Sequence, residues 1–214
     1  EYDADNTALI VVDMQNGFCH PDGSLYAPGS EAAIDPVGDL VDRAHDADMP
    51  VVYTRDVHPP EQFEMLTNDE FDRWGEHVFE GSWAAEIVDD LPVGDDDHVV
   101  VKHTYDAFYQ TELEGWLNAH GIDDLLLCGT LANVCVFHTA GSAGVRDFKP
   151  VVIEDALGYI EEGDREYAVD HCEFLFGEVT TSEELFFANP LVEGCSDLLQ
   201  VCAEHIEIVL QHIV

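Results

Sequence analysis

The sequence predicts an α/β fold: a three-layer, doubly wound, mainly parallel six-stranded sheet with helices on both faces. Three observations carry this. Short apolar runs at residues 9–12, 99–101 and 125–128 are bounded by polar residues, the pattern of strands buried on both sides. Amphipathic helical stretches alternate with such runs, which implies β-α units and a parallel sheet. Each run also leads to a reactive side chain: Asp13, Lys102 and, six residues after Gly129, Cys135. In parallel sheets ligands bind beyond the carboxyl ends of the strands.

The elements follow in order. Residues 8–13 read as the first strand. Residues 31–47 form a helix with Ile34, Val37, Leu40, Val41 and Ala44 on one face. Residues 51–55 are the second strand. Residues 56–81 are irregular and contain Pro59, Pro60 and the aromatics Phe63, Phe71, Trp74 and Phe79. So long a segment between strands usually serves function. Residues 83–90 read as a short helix stopped at Pro92. The third strand is 98–102, and 110–120 is a helix ended by Gly121. The fourth strand is 124–129, and a helix starts near Asn133. The fifth strand is 150–154, a helix covers 164–176, and the sixth strand is 178–181. Ser182 opens a short helix. Residues 189–214 form a C-terminal extension, amphipathic and helical over 197–212 and suited to a subunit contact in a homo-oligomer. No repeat or linker divides the chain, so residues 1–214 are expected to form a single domain.

Seven Lys and Arg face 46 Asp and Glu, a formal charge of −39. That excludes nucleic acid and anionic membranes as partners, since both require a basic face. A hydrophobic content of 46% argues against disorder. Self-repulsion on this scale is best tolerated when salt screens it, with a Debye length of about 3 Å at 1 M. A cytoplasmic protein of a salt-rich cell is therefore expected. No apolar stretch of about 18 residues is present, and no signal peptide is visible. The cysteines (19, 128, 135, 172, 195 and 202) form no C-x-x-C pair and read as reduced thiols.

The chemistry concentrates at three strand ends. The chain has only two lysines, Lys102 and Lys149, and one of them closes an apolar run. Such a lysine can snorkel to solvent, or it can meet an acid and a thiol in one site. Cys135 lies where a strand turns into a helix. A thiol there faces the positive end of the helix dipole, and a nearby ammonium acts in the same direction, so a lowered pKa is expected. A buried structural cysteine is the alternative. Asp13 can accept the thiol proton and later return one to a leaving amine. Free N–H groups at the same turn can hold an oxyanion. Asp56 and His58, two apart at a strand end, can share a cation, although Asp-x-His alone is a weak signal.

Several stretches together resemble the isochorismatase-like cysteine hydrolases, and most of all the nicotinamidases among them. They are residues 8–18 (Ala8 to Phe18), Lys102 with Tyr105-Asp106-Ala107-Phe108 and Thr111, residues 129–136, and residues 152–156. The resemblance spans about residues 6–187. It implies Asp13, Lys102 and Cys135 as a catalytic triad, a cis Thr130–Leu131 peptide, and an oxyanion hole from the N–H groups of Leu131 and Cys135. Phe18, Trp74, Tyr105 and Phe108 would wall the substrate pocket. Asp56, His58 and His77 would hold zinc, iron or manganese, with Glu64 as a further candidate ligand; no organic cofactor is implied. The expected activity is release of ammonia from a small planar amide, nicotinamide first, through a thioester. Three departures stand out. Ala132-Asn133 replaces the Thr-Asp usual in nicotinamidases and is similar to ureide-hydrolysing members. Val57 replaces a Trp. Gln62 and Glu64 stand where a His and a Ser are common. A ureidoacrylate or N-carbamoyl C–N hydrolase is thus the first alternative. A catalytically silent scaffold protein is the second.

Overall fold

The computed structural model describes residues 2–59 and 70–188. Its sheet has six strands: β1 (Thr7–Val12), β2 (Val51–Asp56), β3 (His98–Lys102), β4 (Asp124–Gly129), β5 (Lys149–Leu157) and β6 (Glu178–Thr180). The order is β3-β2-β1-β4-β5-β6, and every pairing is parallel. The longer helices are α1 (Ile34–Asp46), α2 (Leu113–Ala119), α3 (Phe137–Gly144) and α4 (Glu162–Leu175).

Side chains alternate across a strand, so each apolar run feeds two cores. Leu9, Val11, Tyr53, Leu126, Cys128 and Ile153 face α1, which meets them with Val37, Leu40, Val41 and Ala44. Ala8, Ile10, Val12, Val52, Leu125, Leu127 and Val152 face the other way. They pack on Leu113 and Leu117 of α2, Ala140 and Ala143 of α3, and Ala168 and Cys172 of α4. The sheet is therefore sandwiched between helices, the three-layer arrangement that the sequence predicts.

Local chemistry moved several boundaries. The helix expected over 31–47 is two, Pro28–Ala32 and then α1. Pro36 lacks an N–H and is accommodated by restarting the helix just before it, within a first turn. The helix expected from Gln110 begins at Leu113, because Gln110 has a left-handed backbone (φ 57°). Of the helix expected over 83–90 only one turn, Trp83–Ala85, is present. Glu86 and Ile87 instead run extended beside residues 15 and 16, with Asn16 N–H donating to Glu86 O at 2.9 Å. A two-residue parallel ladder, Tyr2–Asp3 with Phe187–Ala188, was not foreseen. No helix among the described residues is long and apolar enough to cross a membrane. The expected C-terminal extension over 189–214 lies outside the described residues.

Candidate active site

Strands β1 and β4 are neighbours, and the connections that leave them run to opposite sides of the sheet. Such a switch point opens a crevice at the strands' carboxyl ends. Gly129 closes β4 there with φ 104°. A Cβ on it would stand 2.2 Å from Val12 O, so only glycine lets the two strand ends approach this closely. The Thr130–Leu131 peptide that follows is cis, as the resemblance implied. Gly158, at the end of β5, holds this turn: its N–H donates to Gly129 O and its carbonyl accepts from Ala132 N–H, both at 2.8 Å. The chain then enters a π-turn, Ala132–Val136, before α3, and this irregular turn carries Cys135.

Asp13 follows β1 with a left-handed backbone (φ 49°), which aspartate tolerates better than most residues. Its N–H donates to Thr54 of β2, at both the carbonyl oxygen (3.2 Å) and Oγ1 (3.1 Å). Thr54 Oγ1 in turn donates to Asp13 Oδ1 at 2.7 Å. Lys102 ends β3, two strands from β1, and its long side chain covers the gap. Its Nζ lies 2.7 Å from Asp13 Oδ2, donates to Thr104 O at 2.8 Å, and stands 3.7 Å from Cys135 Sγ. All three side chains are buried. The lysine does not snorkel, and acid, ammonium and thiol meet in one place.

Electrostatics correct one expectation. Burial raises the Asp13 carboxyl above its ordinary range, Asp56 adds to this, and Lys102 and Thr54 offset it only in part. Burial works against the Lys102 charge, but Asp13, Cys135 and Asp56 outweigh it and keep the ammonium protonated. The Cys135 thiol is not lowered. Burial pushes it well up, two carboxylates push the same way, and Lys102 offsets only part. The resting group is a neutral thiol beside a carboxylate whose basicity is raised, an arrangement suited to general-base activation rather than a standing thiolate.

A second constellation adjoins the first. Asp56 closes β2 and is held by Gln15, which sequence reasoning did not single out. Gln15 Nε2 donates to Asp56 O and to Ala85 O, both at 2.9 Å, and its Oε1 accepts from Asp56 N–H at 2.8 Å. His58 Nε2 lies 3.4 Å and His77 Nε2 4.0 Å from Asp56 Oδ2. One donor atom from each of the three falls within 4.8 Å of the others. Gly75 O takes a hydrogen bond from His77 Nδ1 at 2.7 Å, which places a proton on Nδ1 and fixes the ring with Nε2 toward Asp56. Burial lowers the His77 pKa and keeps the ring neutral. Burial alone would raise Asp56, but Lys102 and the two imidazoles together hold it below the ordinary carboxylate value. Asp56 Oδ1 has no hydrogen-bond partner among the described residues. One carboxylate and two imidazoles, buried and convergent, fit a divalent transition-metal ion with open positions.

A cavity of about 240 Å³ opens in front of Cys135 and Asp56. Phe18, Trp74 and Tyr105 line it as expected, and Trp74 Nε1 donates to the Tyr105 hydroxyl at 2.9 Å. Phe108 does not line it. Asp106 accepts the Phe108 N–H at 2.8 Å and turns the chain inward, so the ring stacks on Phe148 at 5.7 Å in the core. Glu64 lies outside the described residues. Leu25, Val134 and Ile160 are further wall residues with no signal in the sequence, because ordinary apolar residues on loops look alike. Thr54 had a faint one: a polar residue within an apolar run.

Comparison with known proteins adds the following. The isochorismatase domain matches residues 7–184. The nicotinamidase of Saccharomyces cerevisiae is 29% identical, over 69% of this chain and 85% of its own. The solved N-carbamoylsarcosine amidase from Thermoplasma acidophilum is 34% identical, with a TM-score of 0.73 over 84% of this chain and 98% of that one. The pyrazinamidase of Pyrococcus horikoshii in complex with zinc is 27% identical, with a TM-score of 0.74 over 82% and 99%. The chain spans 64% of the length of the first curated relatives it matches.

Proposed function

The chain belongs to the isochorismatase family, and from that premise we propose that it is a cysteine-dependent amidohydrolase releasing ammonia from a small planar amide, with nicotinamide the foremost substrate. The observation that carries the reading is the meeting of Lys102 Nζ with Asp13 at 2.7 Å and Cys135 at 3.7 Å at the mouth of a small cavity. Asp13 takes the proton from Cys135 Sγ as the sulfur attacks the amide carbon. The N–H groups of Leu131 and Cys135 receive the developing oxyanion, and Lys102 stabilises the negative charge beside it. Asp13 gives its proton to the departing ammonia. It then takes one from water, which splits the thioester to the carboxylic acid and restores the thiol.

Asp56, His58 and His77 would hold the divalent ion, with His77 presenting Nε2. Such an ion supplies a Lewis-acidic anchor for a ring nitrogen. Trp74 and Phe18 flank that space, and planar rings stack well on such walls. The walls and the volume of about 240 Å³ suit one small ring rather than a polymer. The zinc complex of the Pyrococcus horikoshii relative supports a metal here.

A second reading keeps the triad and changes the substrate to a ureide or N-carbamoyl compound. Asn133 favours it, as does the 34% identity to an N-carbamoylsarcosine amidase. Ammonia release from nicotinamide, from N-carbamoylsarcosine and from its uncharged methyl ester, assayed side by side with metal analysis of the purified protein, decides between the two. Turnover of the ureide alone by a metal-free protein would replace the first reading with the second.

A further inference from the structure

The cavity is notable for the charge it lacks. All seven cationic side chains of the chain lie among the described residues, so each can be placed. Arg43 donates to Ser182 O and Leu185 O. Arg55 bonds Ala85 O and Glu86, Arg146 pairs with Glu114, and Arg165 with Glu162. Lys149 pairs with Asp124. Arg73 is exposed on the short helix Glu70–Trp74 and does not line the cavity. Lys102 is buried and committed to Asp13 and Thr104. The described cavity wall therefore presents one carboxylate, Asp56, and no arginine or lysine; the rest is polar neutral, His77, or apolar, including Leu25, Val134 and Ile160.

We infer that this pocket admits uncharged amides and excludes those that carry a carboxylate. The inference rests on the amidohydrolase reading and narrows its substrate class. A carboxylate buried here would lose its water and find no cationic side chain of its own. A divalent ion held by Asp56, His58 and His77 would be the one cation within its reach, and chelation separates that contribution. Discrimination of this kind works by leaving the wrong ligand's charge unpaired. The chain's charge of −39 acts in the same direction at longer range, weakening the encounter with anions at low salt. Neutral N-carbamoyl compounds remain admissible, whereas ureido acids do not.

The test compares nicotinamide, nicotinamide bearing a 5-carboxylate, and the methyl ester of that carboxylate. The ester is larger than the acid, so size and charge separate. Turnover is measured with the protein as purified. Binding is measured by titration calorimetry on Cys135→Ala, before and after chelation. The expected result is that the ester is accepted and the acid is weaker by about 100-fold or more, a factor typical of a buried charge left unpaired. Ile160→Arg, at the half-exposed rim, should recover most of the acid's binding. Equal binding of acid and ester overturns the inference, as does rejection of both, which would make size the criterion. Acid binding that disappears on chelation, or in Arg73→Ala, overturns it too by identifying the anion's partner. If no amide is turned over, the amidohydrolase reading has failed, and the calorimetric series still decides the charge preference.

Discussion

At the residue scale the account turns on proton positions. Asp13 must be ionised to accept the Cys135 proton, and its pKa is raised by burial. Activity should fall as pH drops through that raised value, so the acid limb of kcat/KM is expected above the ordinary aspartate value of about 3.9. An acid limb at or below that value would contradict the burial argument. Thr54 donates to Asp13 Oδ1 and thereby favours the ionised form. Removing it in Thr54→Val should shift the limb to still higher pH and lower kcat about 10- to 100-fold, the usual worth of a hydrogen bond to a charge. Thr54→Ser should restore both; a kcat loss without a pH shift would mark a merely structural role. Because the resting thiol is neutral, iodoacetamide should modify Cys135 slowly near neutral pH and faster as pH rises. Slow alkylation therefore does not identify a silent scaffold, contrary to the simpler expectation from a helix N-terminus. That expectation weighed the helix dipole and the ammonium but not the burial of the thiol, nor the charges of Asp13 and of Asp56, which arrives from another strand.

At the element scale the switch point between β1 and β4 brings the parts together. Gly129 permits it, and a methyl group there would collide with Val12 O. Gly129→Ala should cost about 3 kcal/mol or more in stability, combining strain at positive φ with overlap. Thermal unfolding measures this, and an unchanged melting temperature would refute the tight approach of the strand ends. Much of this level was legible from the chain. All six sheet strands were located to within a few residues, because β-branched and leucine runs bounded by polar residues have few other uses. The candidate positions Asp13 and Lys102 at the ends of β1 and β3 followed from those strands, whereas the grouping of Asp56, His58 and His77 came from the family resemblance. What was not legible has mixed causes. The extended run at Glu86 is fixed by a distant segment, through Asn16 N–H, and leaves no local pattern. The break before Pro36 and the Asp106 turn before Phe108 have local causes, but the choice of core over pocket for the Phe108 ring depends on Phe148, which is distant in sequence.

At the scale of the whole molecule two properties remain to be measured. With a formal charge of −39, stability should rise with KCl between about 0.1 and 2 M as screening relieves self-repulsion. A flat melting temperature across that range would remove the argument for a salt-rich setting. Elemental analysis should find one divalent transition metal per chain, lost in His58→Ala while the fold persists in circular dichroism. Full metal content in that variant would move the ion elsewhere. The central claim is that the acid, ammonium and thiol assembled at the switch point hydrolyse an amide. The most direct test measures ammonia release from nicotinamide in concentrated KCl, with metal supplied, for the wild type and Cys135→Ala. The account predicts release by the wild type and a loss on the order of 10⁴-fold or more in a folded variant. Release that persists in Cys135→Ala would contradict the role given to the thiol, and no release by a folded, metal-loaded wild type would contradict the assignment of nicotinamide.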